Sequence, residues 1–211
     1  MNLSNAKGDI KEIVLVVPIS HTHYLVPPTG LGYLATALRQ SGFTNITILD
    51  CVKERLSFNG LSERFKKLKP KIVGFQIFSY DFDSVVRSIE ILKKVCPETV
   101  VLIGGAHVSA TSMTVLDEME GADFGFAGEG EIGLPMLAKR ILRDEVIPLE
   151  NIPGLIWRNG SSIRNNVRAG TEDLDSLGFQ AWDLMQPVSY NGSPQGGFYK
   201  RFPIAPISTT R

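Results

Sequence analysis

Four short stretches of this sequence, Ile13–Val17, Ile46–Leu49, Ile72–Phe78 and Val100–Ile103, are apolar almost throughout, and a weaker one follows at Asp123–Ala127. A strand with one wet face alternates apolar and polar residues, whereas a strand covered on both faces does not. These runs lack the alternation. They call for a sheet sandwiched between helices, which means a parallel sheet whose crossovers supply both helical layers.

The intervening text has the period of helices. Leu31–Gln40 puts Leu31, Leu34, Ala35 and Leu38 on one face and stops at Ser41-Gly42, a C-terminal cap. Leu61–Leu68 does the same with Leu61, Phe65 and Leu68 and ends before Pro70. Phe82–Val95 offers Val85, Val86, Ile89, Leu92 and Val95 and stops before Pro97; Ser109–Met119 and Glu131–Leu142 complete the set. The expectation is an α/β fold: a doubly wound, five-stranded parallel sheet of the flavodoxin-like kind, in strand order 2-1-3-4-5 with right-handed crossovers. It takes up residues 1–145. No internal repeat supports a solenoid.

Residues 146–211 have a different character. Gly154–Arg158 reads as a strand, Asn159-Gly160 is a strong hairpin signal, and Ser162–Val167 supplies the return strand. From Ala169 to Arg211 the sequence is rich in Pro, Gly and Ser, and it reads as a connector that buries little by itself. Ile207–Arg211 resembles a strand cut short.

Charge and composition exclude several classes. Lys+Arg and Asp+Glu number 22 each, so no net field gathers nucleic acid or an anionic membrane. No apolar run reaches the roughly 18 residues of a membrane span, and the polar start Met1–Gly8 is no signal peptide. Cys51 and Cys96 match no metal-ligand spacing and read as reduced thiols of a cytoplasmic protein.

In an open parallel sheet, ligands bind beyond the carboxyl ends of the strands where strand order reverses, here between the first and third strands. The loops at that edge are Pro18–Thr29, Ser79–Asp81, Gly104–Val108 and Ala127–Gly130. Gly104-Gly105 either lets a ligand lie on bare backbone or makes a tight turn. Ser79, followed by Tyr80 and Asp81, either donates to a polar ligand group or caps the next helix. Gly128-Glu129-Gly130-Glu131 closes the fifth strand, and its acids suit the start of a helix without any ligand. The first loop, with His21, His23 and then Pro27-Pro28-Thr29-Gly30, is longer than the two to six or so residues usual in such folds. Its histidines are either metal or acid/base groups or simply solvated.

Two tempting motifs fail. Gly30-x-Gly32-x-x-Ala35 matches the dinucleotide fingerprint, with Asp50 near the ribose distance. In that motif the first glycine leaves the first strand directly, whereas here a long loop intervenes and Gly32 falls inside the helix. A phospho-receiver domain needs an acidic pair after the first strand and a lysine after the fifth, and Val17-Pro18 and Ala127-Gly128 supply neither. No Ser/His/Asp triad or P-loop is present.

With the loops in place, nearly the whole chain resembles the N-terminal cobalamin-binding domain of cobalamin-dependent radical SAM enzymes. The segments that carry the likeness are Pro27–Ala35, Val100–His107 with its Gly-Gly-x-His, Asp123–Glu131 with its Gly-Glu-Gly-Glu, and the bridge formed by Ile152–Gly160, Asp173–Leu177 and Ala181–Asp183. The resemblance implies cobalamin as cofactor, held by Pro28, Thr29, Gly30, Ser79, Tyr80, Asp81, Gly104, Gly105, His107, Gly128, Glu129 and Gly130. His107 either bonds a corrin amide or the nucleotide tail, or caps its own helix. The resemblance also implies a radical SAM domain in cis after Arg211, opening with Gly-Cys and a Cys-x3-Cys-x2-Cys loop, with S-adenosylmethionine and a 4Fe-4S cluster in that parent. Methyl transfer or carbon-skeleton chemistry would follow there; the fragment alone is expected to be inactive. The Asp-x-His-x-x-Gly pattern that replaces the lower axial ligand elsewhere is missing around His21 and His23, so base-off binding without a protein histidine is the expectation. The other readings are a degenerate scaffold that keeps the fold without cofactor, and a flavin- or dinucleotide-binding domain.

Overall fold

The computed structural model describes residues 12–21, 25–170 and 173–190, with Arg201 and Pro206. His23, Met1–Gly8 and Ile207–Arg211 lie outside the described residues.

The apolar runs are β1 (Ile13–Val17), β2 (Ile46–Asp50), β3 (Ile72–Gln76), β4 (Val100–Gly104) and β5 (Phe124–Phe126), parallel and in order β2-β1-β3-β4-β5. Their lack of alternation has a direct cause in β1. Ile13 and Leu15 enter a core with Leu31, Leu38, Leu134 and Leu137, while Val14 and Val16 enter the opposite core with Phe65, Val85, Ile89 and Leu92. Helices α1 (Thr29–Gln40) and α6 (Gly133–Arg143) cover the first face; α2 (Phe58–Leu68) and α3 (Phe82–Val95) cover the second. Ser41 caps α1 through backbone bonds, and Gly42 leaves it at φ +86°. Ser57 Oγ accepts from Gly60 N at 3.1 Å, which starts α2 earlier than the apolar spacing indicates.

Two helical expectations need correction. Ser109–Met119 is not one helix but α4 (Ala106–Thr111) and α5 (Val115–Glu118), broken at Ser112 with φ 45° and ψ −93°. Hydroxyl side chains compete there with the helical ladder: Thr111 Oγ1 donates to His107 O, and Ser112 Oγ to Ser109 O. The helix expected from Glu131 begins instead at Gly133, with no acid in its first turn, so Glu129 and Glu131 stay in the preceding loop.

The hairpin extends the same sheet. β6 (Leu155–Asn159) pairs antiparallel with β5, and β7 (Ser162–Asn165) with β6, around Gly160 at φ +61°. The connector buries more than its composition indicates. Its short helix α7 (Trp182–Met185) and neighbours lie on the outer side of α1, with Gln180, Ala181, Met185 and Tyr190 all buried. Arg39 on α1 makes a two-pronged ion pair with Asp183 at 2.8 and 2.7 Å. Gly32 completes the contact: a Cβ there would stand 2.7 Å from Met185 Cε and 2.9 Å from Gln180 Cβ. The segment does not form a core of its own; it borrows the face of α1.

Candidate ligand cleft at the strand ends

At the carboxyl ends of β1, β3 and β4, below the start of α1, the structure opens a cleft of about 250 Å³. The strands contribute Leu15, Gly74, Gln76, Leu102 and Gly104; α1 contributes Gly30, Leu31 and Leu34, and the loop after β5 contributes Gly128–Glu131. Most of this lining is apolar, with Gln76, Glu129 and Glu131 as its polar side chains. That mixture is the usual composition of a small-molecule site.

Six of the residues expected from sequence meet here: Gly30, Gly104, Gly105, Gly128, Glu129 and Gly130. The two readings of Gly104-Gly105 divide between the two residues. Gly105 makes the tight turn: it sits at φ +106°, and a Cβ would lie 2.8 Å from Ile77 O. Gly104 is the open one, with nothing nearer its Cβ position than Phe126 O at 3.9 Å. A Cβ at Gly30 meets nothing within 4 Å. Pro28 and Thr29 precede the cleft wall, with Pro28 at the N-cap of α1 making no side-chain cap bond.

The other four expected residues form a group beside the cleft. A turn at Ser79–Asp81 follows β3, and Ser79 Oγ lies 3.1 Å from His107 Nδ1. The His107 ring meets Phe82 edge-on at 5.4 Å, and its Nε2 is buried with no hydrogen-bond partner among the described residues. Neither Ser79 nor His107 caps a helix through its side chain, which removes that explanation for both. Tyr80 is exposed and stacks on Phe78, ring centres 5.6 Å apart. Asp81 is buried, which pushes its carboxyl above the usual carboxylate range; hydrogen bonds from Ser20 and the Phe78 backbone pull it back in part.

Sequence reasoning missed Gly74, Gln76 and Glu131. Gly74 did carry a signal, a lone glycine inside an apolar strand, which often marks a close approach. A Cβ there would touch Leu15 Cδ2 at 3.3 Å and intrude on the cleft floor. Gln76 and Glu131 had no such mark. His21 is exposed. Among the described residues, no three His, Cys, Asp or Glu side chains gather as a metal site, and no helix is long and apolar enough to cross a membrane.

Residues 15–138, more than half of the chain, match the model of the B12 binding domain. The chain belongs to the B12-binding domain family. It is 27% identical over 172 residues to the anaerobic magnesium-protoporphyrin IX monomethyl ester cyclase of Cereibacter sphaeroides, covering 81% of this chain and 28% of that protein. It is 28% identical over 173 residues to an uncharacterized methyltransferase of Pyrococcus horikoshii, covering 81% of this chain and 37% of that one. Its fold is that of part of the radical S-adenosylmethionine methyltransferase TsrM from Kitasatospora setae, solved with cobalamin and a [4Fe-4S] cluster bound. There the TM-score is 0.66 and the identity 23%, over 78% of this chain and 30% of that chain. The chain thus spans about a third of the length of these relatives. As a B12-binding domain it resembles the cobalamin-binding module of radical SAM methyltransferases.

Proposed function

We propose that this chain is the cobalamin-carrying module of a larger radical SAM enzyme that transfers methyl groups or rearranges carbon skeletons. The observation that carries the reading is the open glycine-lined cleft at the β1/β3 reversal of a B12-binding fold. Gly30 and Gly104 keep that space clear although their backbone does not require glycine: neither has a positive φ nor a close neighbour. The fit is also chemical, since an apolar slot with a few polar groups suits a large heterocycle edged with amides.

Gly74, Gly104, Gly30 and the Gly128–Gly130 turn would hold the buried part, with Gln76 and Glu129 offering polar contacts. Thr29, Ser79, Tyr80 and His107 stand beside it, and the orphaned Nε2 of His107 supplies a donor or acceptor according to its tautomer. Bound cobalamin supplies the methyl or radical chemistry; the protein supplies position and exclusion of water. Without the acid and glycine of the axial-histidine pattern, the cofactor would be held without a protein histidine ligand. The dinucleotide alternative loses its main support because Gly32 faces Met185 and Gln180.

In this reading residues 1–145 form the cofactor unit, and 146–211 are the hairpin and linker toward a radical SAM domain in cis. That domain would hold the S-adenosylmethionine and the 4Fe-4S cluster. The two free thiols agree with a cytoplasmic setting. Anaerobic reconstitution with hydroxocobalamin, followed by desalting, tests the cofactor: about one equivalent of retained visible absorbance is expected, and a colourless protein overturns it. The gene past Arg211 tests the parent enzyme, through the presence of three cysteines spaced Cys-x3-Cys-x2-Cys.

A further inference from the structure

The helical wall of the cleft is the part of α1 least able to support itself. α1 opens Thr29-Gly30-Leu31-Gly32, so two of its first four residues are glycine, the poorest helix former after proline. Pro28 at the N-cap has no side-chain oxygen to offer the unpaired N–H groups there, and no acid stands in the first turn to meet the helix dipole. Gly30, Leu31 and Leu34 of this stretch line the cleft.

The same helix carries a second stripe. Gly32, Thr36, Arg39 and Gln40 recur at the three- and four-residue spacing that sets positions in one row along a helix. All four meet residues 176–185, which form a strap over α1. Gly32 O accepts from Ala181 N at 3.1 Å, and Thr36 Oγ1 donates to Phe179 O at 2.7 Å. Gln40 Nε2 reaches Ser176 O and Leu177 O at 3.4 and 3.3 Å, and Arg39 pairs with Asp183. Gly32 weakens the helix, yet its missing Cβ is what lets Met185 and Gln180 close on that turn. The strap thus grips α1 at the turn that lacks a cap of its own, directly beside the residues that line the cleft.

We infer that the strap positions the cleft wall: docking of residues 176–185 holds the Gly30–Leu34 turn helical, and a ligand packed on that turn holds the strap in return. For the ligand side this rests on the cobalamin reading above; the support of α1 by the strap stands without it. The coupling runs both ways by thermodynamic necessity, since whatever binds better to the ordered turn also favours whatever orders it. Anything that pulls the strap from α1 therefore lowers the affinity of the cleft, and occupancy of the cleft tightens the strap.

Amide hydrogen exchange on the full chain tests this, with Asp183→Ala and the double variant Asp183→Ala with Met185→Ala as loosened straps. The Ala181 and Met185 positions report the strap, and Gly32–Leu34 report the wall. Without ligand, the double variant is expected to exchange about tenfold faster or more at both places, and Asp183→Ala by less, while β1, β4 and α6 keep their rates. Asp183→Ala removes only an exposed ion pair, so it decides the matter where the double variant loosens the whole fold. In equilibrium dialysis the double variant is expected to bind hydroxocobalamin about tenfold more weakly, and saturating hydroxocobalamin to slow exchange at Ala181 and Met185 of the wild type. Strap amides that speed up while Gly32–Leu34 keep the wild-type rate overturn the positioning role. Strap amides that hold their rate in both variants overturn it too, because these contacts then do not dock the strap. Equal affinities in wild type and double variant overturn the coupling and leave the cofactor reading intact. A wild-type chain that binds no hydroxocobalamin overturns the cofactor reading, and exchange at Gly32–Leu34 still decides whether the strap supports the turn.

Discussion

The Tyr190 hydroxyl donates a 2.7 Å hydrogen bond to Asp50 Oδ2, joining the segment that follows the hairpin to the carboxyl end of β2 across 140 residues of sequence. Both groups are buried. The other oxygen of Asp50 accepts from Lys53 N at 2.9 Å, and Lys53 Nζ lies 4.8 Å from the centre of the Tyr190 ring. That segment is thus fastened beside the carboxyl edge of the sheet.

Removing that hydroxyl leaves a buried carboxylate oxygen without its donor. Tyr190→Phe is expected to cost about 1–3 kcal/mol in urea unfolding. It should also change the alkaline limb. Burial, and then the nearby Asp50 charge, raise the Tyr190 phenol well above its ordinary value of 10.0. The folded chain therefore keeps a proton there that the unfolded chain releases, and stability falls as pH rises past about 10. The phenylalanine variant lacks that contribution, so its unfolding free energy should fall less steeply at high pH. Parallel slopes for the two proteins would contradict the assignment.

Adjacent glycines give opposite expectations. Gly105→Ala forces a Cβ to 2.8 Å from Ile77 O at a φ of +106°, so it should destabilise the fold by about 1–3 kcal/mol or more. Gly104→Ala meets nothing closer than 3.9 Å and should leave the urea midpoint nearly unchanged. If the cleft holds a large flat ligand, Gly104→Val should still weaken hydroxocobalamin binding by about tenfold or more through lost space. Unaltered binding in a stably folded Gly104→Val would count against the cleft.

The contact of residues 180–185 with α1 is testable from the helix side. Alanine is better than glycine inside a helix by roughly 1 kcal/mol, yet Gly32→Ala would press on Met185 and on the Cβ of Gln180 at 2.7–2.9 Å. Overpacking of this kind costs about 1–3 kcal/mol. The expected outcome is faster protease cleavage within residues 173–190, with an unchanged far-ultraviolet spectrum from the sheet and helices. A protease pattern identical to wild type would show that the strap yields without penalty.

Legibility in the sequence tracked how local each cause is. The run Ile13–Val17 named its strand because Ile13–Val16 are buried to one face or the other and Val17 is partly buried. The order of five strands followed from connection rules that need no side-chain detail. Gly30, Gly104 and Gly128 could be placed at the cleft because the fold class says where a ligand edge lies. Gly74 was missed because it lies within a strand rather than in a loop, and Glu131 because it was assigned to a helix that starts two residues later. The strap was not legible at all: Gln180, Met185 and Tyr190 are scattered in a polar segment, and what they pack against lies some 140 residues away. The break at Ser112 depends on hydroxyl-to-carbonyl bonds that a periodicity count does not register.

Asp81 offers a pH signature that does not require any ligand. Burial raises its carboxyl above the ordinary value of 3.8, with Ser20 and the Phe78 backbone opposing that shift. Between 3.8 and the raised value, the folded chain holds a proton that the unfolded chain has lost. Stability contributed by this site is therefore lost as pH rises through that window, and the deficit is complete above it. Asn at this position does not titrate and still offers an oxygen to Ser20. The unfolding free energy of Asp81→Asn minus that of the wild type should thus grow as pH rises from about 4 and level off toward neutrality. Urea midpoints taken at several pH values between about 3.5 and 7 measure it. A difference that stays flat across the range would mean that Asp81 keeps an ordinary carboxylate affinity in the folded chain. Its buried oxygen would then already be satisfied.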